Sequence, residues 1–271
     1  MAEITATMVR ELRDRTGVAM MDCKAALSES AGDMDRAIDS LRKKGKTKQD
    51  KLASREAKEG RLAIVDRKDH KASALVEVNC NTDFTAKSEP VTKLAMDAAH
   101  ALLHNPTVDI TQVAKVTADI TAVAQQTGEN VRIGRAVVIE NTGGTVGSYL
   151  YAATGKIGVL MSFTGSPSED LLKDLGGHIA FNNPLGLTRS EVPAEIVAKE
   201  REIAVEQAKA TGKPQNIAEK IAEGKLNAFF AERVLLDQDF FNPAKFKGTI
   251  AQLLKQNGCT LEKYVRVEVG G

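Results

Sequence analysis

The chain has 271 residues, 42% hydrophobic and 27% charged, a make-up that fits a folded protein with room for one large domain or two to three small ones. Lys and Arg total 37 against 36 Asp and Glu, so the net charge is +1 and no global field exists to hold nucleic acid or an anionic membrane by bulk attraction. Cys23, Cys80 and Cys259 lie far apart with no CxxC pair, which argues against a disulfide framework or a Cys-rich zinc site and suits a reducing, cytoplasmic setting. No apolar run approaches the ~20 residues of a membrane span. The opening MAEITATMVRELRD lacks the apolar stretch of a secretory signal. Trp is absent and aromatics are 4%, so the core must be aliphatic and each Phe is worth following.

The first segment reads as three short helices. Thr5 caps the first, which carries Met8, Val9 and Leu12 and is expected to stop at Gly17. The second spans MMDCKAALSES and stops at Gly32. Asp33 caps the third, which carries Met34, Ala37, Ile38 and Leu41 and is expected to end at Gly45. Each is too short to stand alone, so the three must form a small bundle. Residues 42–61 then hold nine basic and three acidic residues, a solvated helix or linker by charge. A nucleic-acid patch is the rival reading, but no aromatic is interleaved for base stacking.

After Gly60 the period changes. LAIVDR and SALVEVN read as a hairpin, followed by the helix VTKLAMDAAHALLH. A polar, weakly periodic stretch leads to Gly128-Glu129-Asn130. The pattern then returns as RAVVIE, the turn NTGG, GSYLYA and KIGVLMSF, with a helix from Ser168. The strand–strand–helix unit thus occurs twice, with SALVEVN and KIGVLMSF in equivalent places. Residues 190–235 read as two helices broken at Thr211–Pro214, an antiparallel hairpin with Ile196, Glu200, Ile203 and Gln207 along one side. The helix TIAQLLKQNG and the strand YVRVEV close the chain, the strand returning to the second unit.

The chemical inventory is sparse. Gly45-Lys46-Thr47 resembles the end of a phosphate loop, but Ser40 stands where the earlier glycine belongs and a helix, not a strand, precedes. His100 and His104 share a helix face without the Glu of HExxH or a third ligand, which favours a structural role. No GxSxG elbow or nucleophile–base pair stands out, so an enzyme is poorly supported, and no metal or cofactor is expected. Asn79-Cys80-Asn81-Thr82-Asp83-Phe84 falls between a strand and a helix. Locally these residues favour a turn with Thr82 or Asp83 as cap and Phe84 tucked into the core. The other reading is an exposed carboxylate–phenyl pair on a rigid tip, as an interface hot spot needs.

Several segments resemble, in order, those of the translation elongation factor Ts family of bacteria and organelles. They are LRDRTGVAMMDCKAAL, EVNCNTDFTAK, GENVRIGR, GSYLYAATGKIGVL, the hairpin PAEIVAKEREIAVEQAKATGKP with IAEKIAEGKLNAFF, and GTIAQLLK, so nearly the whole chain is covered. The resemblance implies an α+β protein: a three-helix module like a ubiquitin-associated domain with its basic connector (1–54), a duplicated α+β core (55–140, then 141–189 with 236–271) and an inserted antiparallel helical hairpin (190–235). It implies a guanine-nucleotide exchange factor for elongation factor Tu, with no covalent catalysis and no nucleotide, nucleic-acid or membrane binding of its own. A homo-oligomer is left open. By the same resemblance Thr82, Asp83, Phe84 and Thr85 enter the GTPase near its magnesium ion, Val9, Arg10, Met20, Met21, Gly128 and Tyr151 belong to the docking surface, and Glu129 and Asn130 lie with Gly128 near that surface. Four positions depart from the usual family residues: Ala19 for glycine, Asn81 for Gln or Glu, Thr85 for valine, and Tyr151 for a histidine that reaches the GTPase. The C-terminal helical extension of some members is not expected after Val269-Gly270-Gly271.

Overall fold

The computed structural model describes residues 4–16, 18–52, 55–210, 212 and 214–271, with backbone alone at 45–51. Gly17, the expected end of the first helix, and Thr211 and Lys213 of the expected hairpin turn lie outside the described residues.

Helix α1 (Ala6–Thr16) begins where the Thr5 hydroxyl accepts from the Met8 amide at 3.3 Å. Helix α2 (Met20–Glu29) closes through Ala31 and Gly32, both with positive φ. Helix α3 (Met34–Leu52) begins on the Asp33 carboxylate, 3.0 Å from the Arg36 amide. Leu12, Cys23, Ala26, Leu27, Ala37 and Leu41 bury one another as the core of this head. Helix α3 does not stop at Gly45. One glycine costs a helix about 1 kcal/mol, and the Lys- and Gln-rich residues after it are good helix formers. The segment Gly45-Lys46-Thr47 is therefore helical rather than a phosphate-cradling loop.

Strands β1 (Glu59–Asp66) and β2 (Ala72–Cys80) pair antiparallel, Glu59 opposite Cys80 and Asp66 opposite Ser73. The chain continues through the single turn α4 (Asp83–Ala86), α5 (Glu89–His104) and α6 (Ala114–Thr127) before β3 (Arg132–Glu140) returns to the free edge of β2. Strands β4 (Thr145–Leu150) and β5 (Ile157–Thr164) form the second hairpin. Helices α7 (Glu169–Asn182), α8 (Ala194–Lys209), α9 (Gln215–Arg233) and α10 (Ile250–Gln256) then intervene before β6 (Thr260–Glu268) pairs with β5. The two sheets run β1-β2-β3 and β4-β5-β6, so SALVEVN and KIGVLMSF are both central strands. The fold is α+β.

Two further expectations need correction. Residues 114–127 read as a polar stretch, yet they form α6. Its Val116, Ile120, Val123 and Ala124 are buried at helical spacing, while β-branched Val, Ile and Thr disguise it by their low helix propensity. Packing on the first sheet's helical face overrides that preference. In the α8–α9 pair, Ile203 is exposed, and the seam is built from Ala204 and Ala208 against Ala218 and Ala222. Small side chains let the two helix axes approach closely. Ile196 and Val197 pack instead at the base, with Leu226 and Phe230.

Strand β2 is buried along its whole length. Ala74, Val76 and Val78 face α5 and α6, and Leu75 faces the second sheet beside Leu62, Leu160 and Val267. Glu77 shares the Leu75 face, since strand side chains alternate. Its carboxylate accepts from Arg135 Nε at 2.9 Å, Asn79 Nδ2 at 2.7 Å and the Gly270 amide at 3.2 Å. Arg135 also donates to the Glu268 carbonyl, so one buried pair ties β2 and β3 to the end of β6. Burial pushes the Glu77 carboxyl up, but the donors of Arg135, Asn79 and Gly270 outweigh it and hold the group below its ordinary 4.5.

Breaking this pair strands a charge between the sheets. Glu77→Ala should lose about 3 kcal/mol in urea unfolding, the low end for a buried pair because Arg135 stays partly in water. A folded-state value below the unfolded one means that the contribution is full above about pH 4.5 and fades as the pH falls further. The stability difference between the wild-type chain and Glu77→Ala should therefore narrow in acid.

Candidate protein-docking site

Helix α4 is a single turn at the end of the central strand β2. Thr82 is its N-cap, extended at φ −126 and ψ 153, with its hydroxyl accepting from the Thr85 amide at 3.3 Å. Ala86 is the inward residue of the turn and is buried, which leaves Phe84 pointing away from the core. Phe84 is 84% exposed, so the local expectation of a tucked phenyl is corrected. Beside it, Asp83 meets Lys87 Nζ at 2.8 Å, one helical turn on. The Lys87 hydrogen bond holds the Asp83 carboxyl below its usual range, so the group is ionised at neutral pH. Lys156 is ion-paired with Glu59, which lies opposite Cys80 in the first sheet, so the loop after Tyr151 reaches the tip's end of that sheet.

The tip is held from below by residues 128–130. Gly128 ends α6 in the left-handed region at φ +70, a conformation rather than a space requirement, because a Cβ there would touch nothing. The turn sends Glu129 back beneath the tip, where its carboxylate receives the Asn81 and Thr82 amides at 2.9 and 3.0 Å. The Thr82 and Thr85 hydroxyls reach it at 2.7 Å each. Asn130 donates its amide to Asn81 Oδ1 at 2.8 Å and its side chain to the Arg55 carbonyl at 2.8 Å. Asn81 in turn donates to the Glu56 carbonyl at 2.6 Å. Cys80 is buried under this network, its thiol pushed up to about 11 chiefly by burial.

The structure thus joins Thr82–Thr85 to Gly128 through Glu129. The head is tied to the same support: Gln125, in the last turn of α6, donates to the Leu41 carbonyl at 2.7 Å. At the start of α2, Met21 is 75% exposed and Met20 is 40% exposed, and Arg10 is exposed on α1. Val9 differs. It is buried in the head core, so it sets α1 in place and presents little surface for docking. Tyr151 follows β4 and meets Phe181 edge-on at 5.0 Å between ring centres.

Family resemblance places Glu129 near the docking surface and marks Asn81 as a departure, but neither residue type signals the hydrogen bonds made here, which join segments 44 to 49 positions apart. His100 and His104 are both exposed, so neither packs in a core. Among the described residues, no group of three or more His, Cys, Asp or Glu could hold a metal ion.

The elongation factor TS family model matches residues 81–271. Along its full length the chain is similar to proteins named elongation factor Ts. That of Pasteurella multocida is 43% identical over 272 residues, covering 100% of this chain and 93% of that one. That of Photorhabdus laumondii is 41% identical over 272 residues, with the same coverage. That of Methylococcus capsulatus is 40% identical over 275 residues, covering 98% and 92%.

The exposure of Phe84 has a direct consequence for stability. Truncating a buried phenyl such as Phe163 should cost about 3–5 kcal/mol. Phe84→Ala removes no core contact and should change urea unfolding by less than about 0.5 kcal/mol. A loss near the Phe163→Ala value would return Phe84 to the core.

Proposed function

The chain belongs to the elongation factor Ts family of translation elongation factors, and from that premise we propose that it is a guanine-nucleotide exchange factor for elongation factor Tu. It binds the GTPase, promotes GDP release and so allows GTP to reload. The observation that carries this reading is Phe84, a phenyl left 84% exposed on a braced tip beside an ionised carboxylate.

The physics needs no covalent chemistry. A GTPase grips GDP through loop amides and a magnesium ion. A partner that binds the empty form more tightly must weaken GDP by the same factor. Such a partner needs a broad docking surface and one wedge. Phe84 is the wedge, an apolar side chain that gains by leaving water for a pocket. Asp83 is the charge that disturbs the magnesium shell, and its exposed pairing with Lys87 is the weak kind that a stronger partner displaces. Thr82 and Thr85 flank the pair and fix its direction. Met20, Met21 and Arg10 of the head, Gly128 and Tyr151 supply the docking surface around it. The working units are the head with its connector (1–54), the two core halves (55–140, and 141–189 with 236–271) and the helical pair (190–235). The site of action is the cytoplasm, and among the described residues no helix is long and apolar enough to cross a membrane.

The test is stimulated GDP release from elongation factor Tu. Phe84→Ala should slow it by about thirtyfold, the equivalent of a hot spot near 2 kcal/mol. Wild-type release by that variant would sink the wedge. Asp83→Ala should be milder, and its defect should shrink when magnesium is chelated, because its effect acts through the ion. Removing residues 1–52 should leave the two sheets cooperatively folded, since the head buries its own core, yet weaken stimulation through loss of one docking surface. Undiminished stimulation would contradict that role.

A further inference from the structure

A four-residue turn does not hold its own shape in water, because helix nucleation is unfavourable and α4 adds almost no propagation. An apolar wedge on such a turn would sample many directions and would pay an ordering cost on every docking event. Something outside the turn must aim it, and the hydrogen bonds identify what does.

We propose that Glu129 is the positioning residue of the tip: its carboxylate fixes the direction of Asp83-Phe84 before any partner arrives. This rests on the exchange reading above and adds a residue to it. Four donors converge on the one carboxylate. Oε2 takes the backbone amides of Asn81 and Thr82, and Oε1 takes the hydroxyls of Thr82 and Thr85. The donors lie on both sides of Asp83-Phe84 in the chain, so the pair is pinned at both ends. All four are uncharged, and hydrogen bonds to an ionised acceptor are roughly twice as strong as neutral ones. Burial pushes the Glu129 carboxyl up, but the hydrogen bonds from Thr82, Thr85 and Asn81 outweigh it and keep the group charged.

The carboxylate is itself well anchored. It follows the left-handed Gly128 at the end of α6, and α6 is buried against the first sheet's helical cluster. The Glu129 amide donates to Thr127 Oγ1 at 3.3 Å, and Asn130 is locked to Asn81 and Arg55. The tip is therefore referenced to the end of α6 through a residue 44 to 48 positions away in sequence. Thr85 contributes a donor that the valine usual at this position cannot supply.

The experiment compares the wild-type chain with Glu129→Ala, Glu129→Gln, Phe84→Ala and the double variant Glu129→Ala/Phe84→Ala. The first measurement is amide hydrogen exchange of the free chains. Glu129→Ala should speed exchange in residues 81–87 by at least about tenfold and leave strands β4 to β6 unchanged. Equal acceleration throughout both sheets would show a general structural role and overturn the assignment. The second measurement is GDP release from elongation factor Tu·GDP. Glu129→Ala should slow stimulated release by at least about tenfold, a loss within reach of one charge-assisted hydrogen bond. Glu129→Gln keeps one acceptor oxygen and should fall between Glu129→Ala and the wild type. In the Phe84→Ala background, Glu129→Ala should add little, because there is no wedge left to aim. Full additivity, or wild-type release by Glu129→Ala while Phe84→Ala is defective, would overturn the positioning role alone. Wild-type release by Phe84→Ala would instead overturn the exchange reading on which it rests.

Discussion

An apolar ring kept in water beside an aliphatic core tends to fold back into that core, and the local structure is arranged to stop Phe84 from doing so. Ala86 already fills the inward position of the single turn α4. Beneath it lie Cys80 and the buried end of β2. Glu129 draws the flanking residues toward α6 by four hydrogen bonds. Strand β2 can serve as the base because it is central and buried on both faces, with Glu77 locked against Arg135 and the Gly270 amide. A flexible base would let the tip yield on contact, and the binding free energy would go into bending it rather than into the partner.

The duplicated arrangement explains why one half carries the tip and the other does not. Both sheets have the same strand order, with a helix after the central strand. After β2 the chain makes the one-turn α4 before α5, whereas after β5 it passes through Gly165 and Ser168 directly into the cap of α7. The extra turn is what lifts Asp83-Phe84 off the surface. The second half instead accommodates the long α8–α9 pair between α7 and α10, joined by an alanine seam. The head reaches the same support as the tip, through the Leu41 carbonyl and Gln125 on α6. That helix is thus common to the tip and to the exposed methionines of α2.

Strong periodicity made most of the fold legible in the sequence. Thr5 and Asp33 cap where their residue types placed them, and the helices expected from Ser168 and Thr249 begin there. The runs SALVEVN and KIGVLMSF, read as equivalent strands of the two units, are the central strands of their sheets. The failures share a cause, since each depended on contacts distant in sequence. Helix α6 is rich in β-branched residues and is made helical by what it covers. Along α8, Ile196, Glu200, Ile203 and Gln207 line up on one side in the sequence, but close approach selects Ala204 and Ala208 for the seam. Phe84 read locally as a buried ring because hydrophobicity carries no direction. Its direction comes from Glu129, whose residue type is ordinary and whose partners lie 44 to 48 positions away. Resemblance to a family found the Asp-Phe pair where local pattern did not, and it placed Glu129 near the same surface without showing that its carboxylate holds the pair.

An exchange factor is defined by a thermodynamic reciprocity, so the most direct test of the account is a pair of equilibrium affinities. The chain should be titrated into elongation factor Tu without nucleotide and into the same protein saturated with GDP. The account predicts that GDP weakens binding of the chain, and by the factor by which the chain weakens binding of GDP. Equal affinity for the empty and the GDP-bound forms would mean that the chain shifts nothing, and would contradict the exchange function at its root.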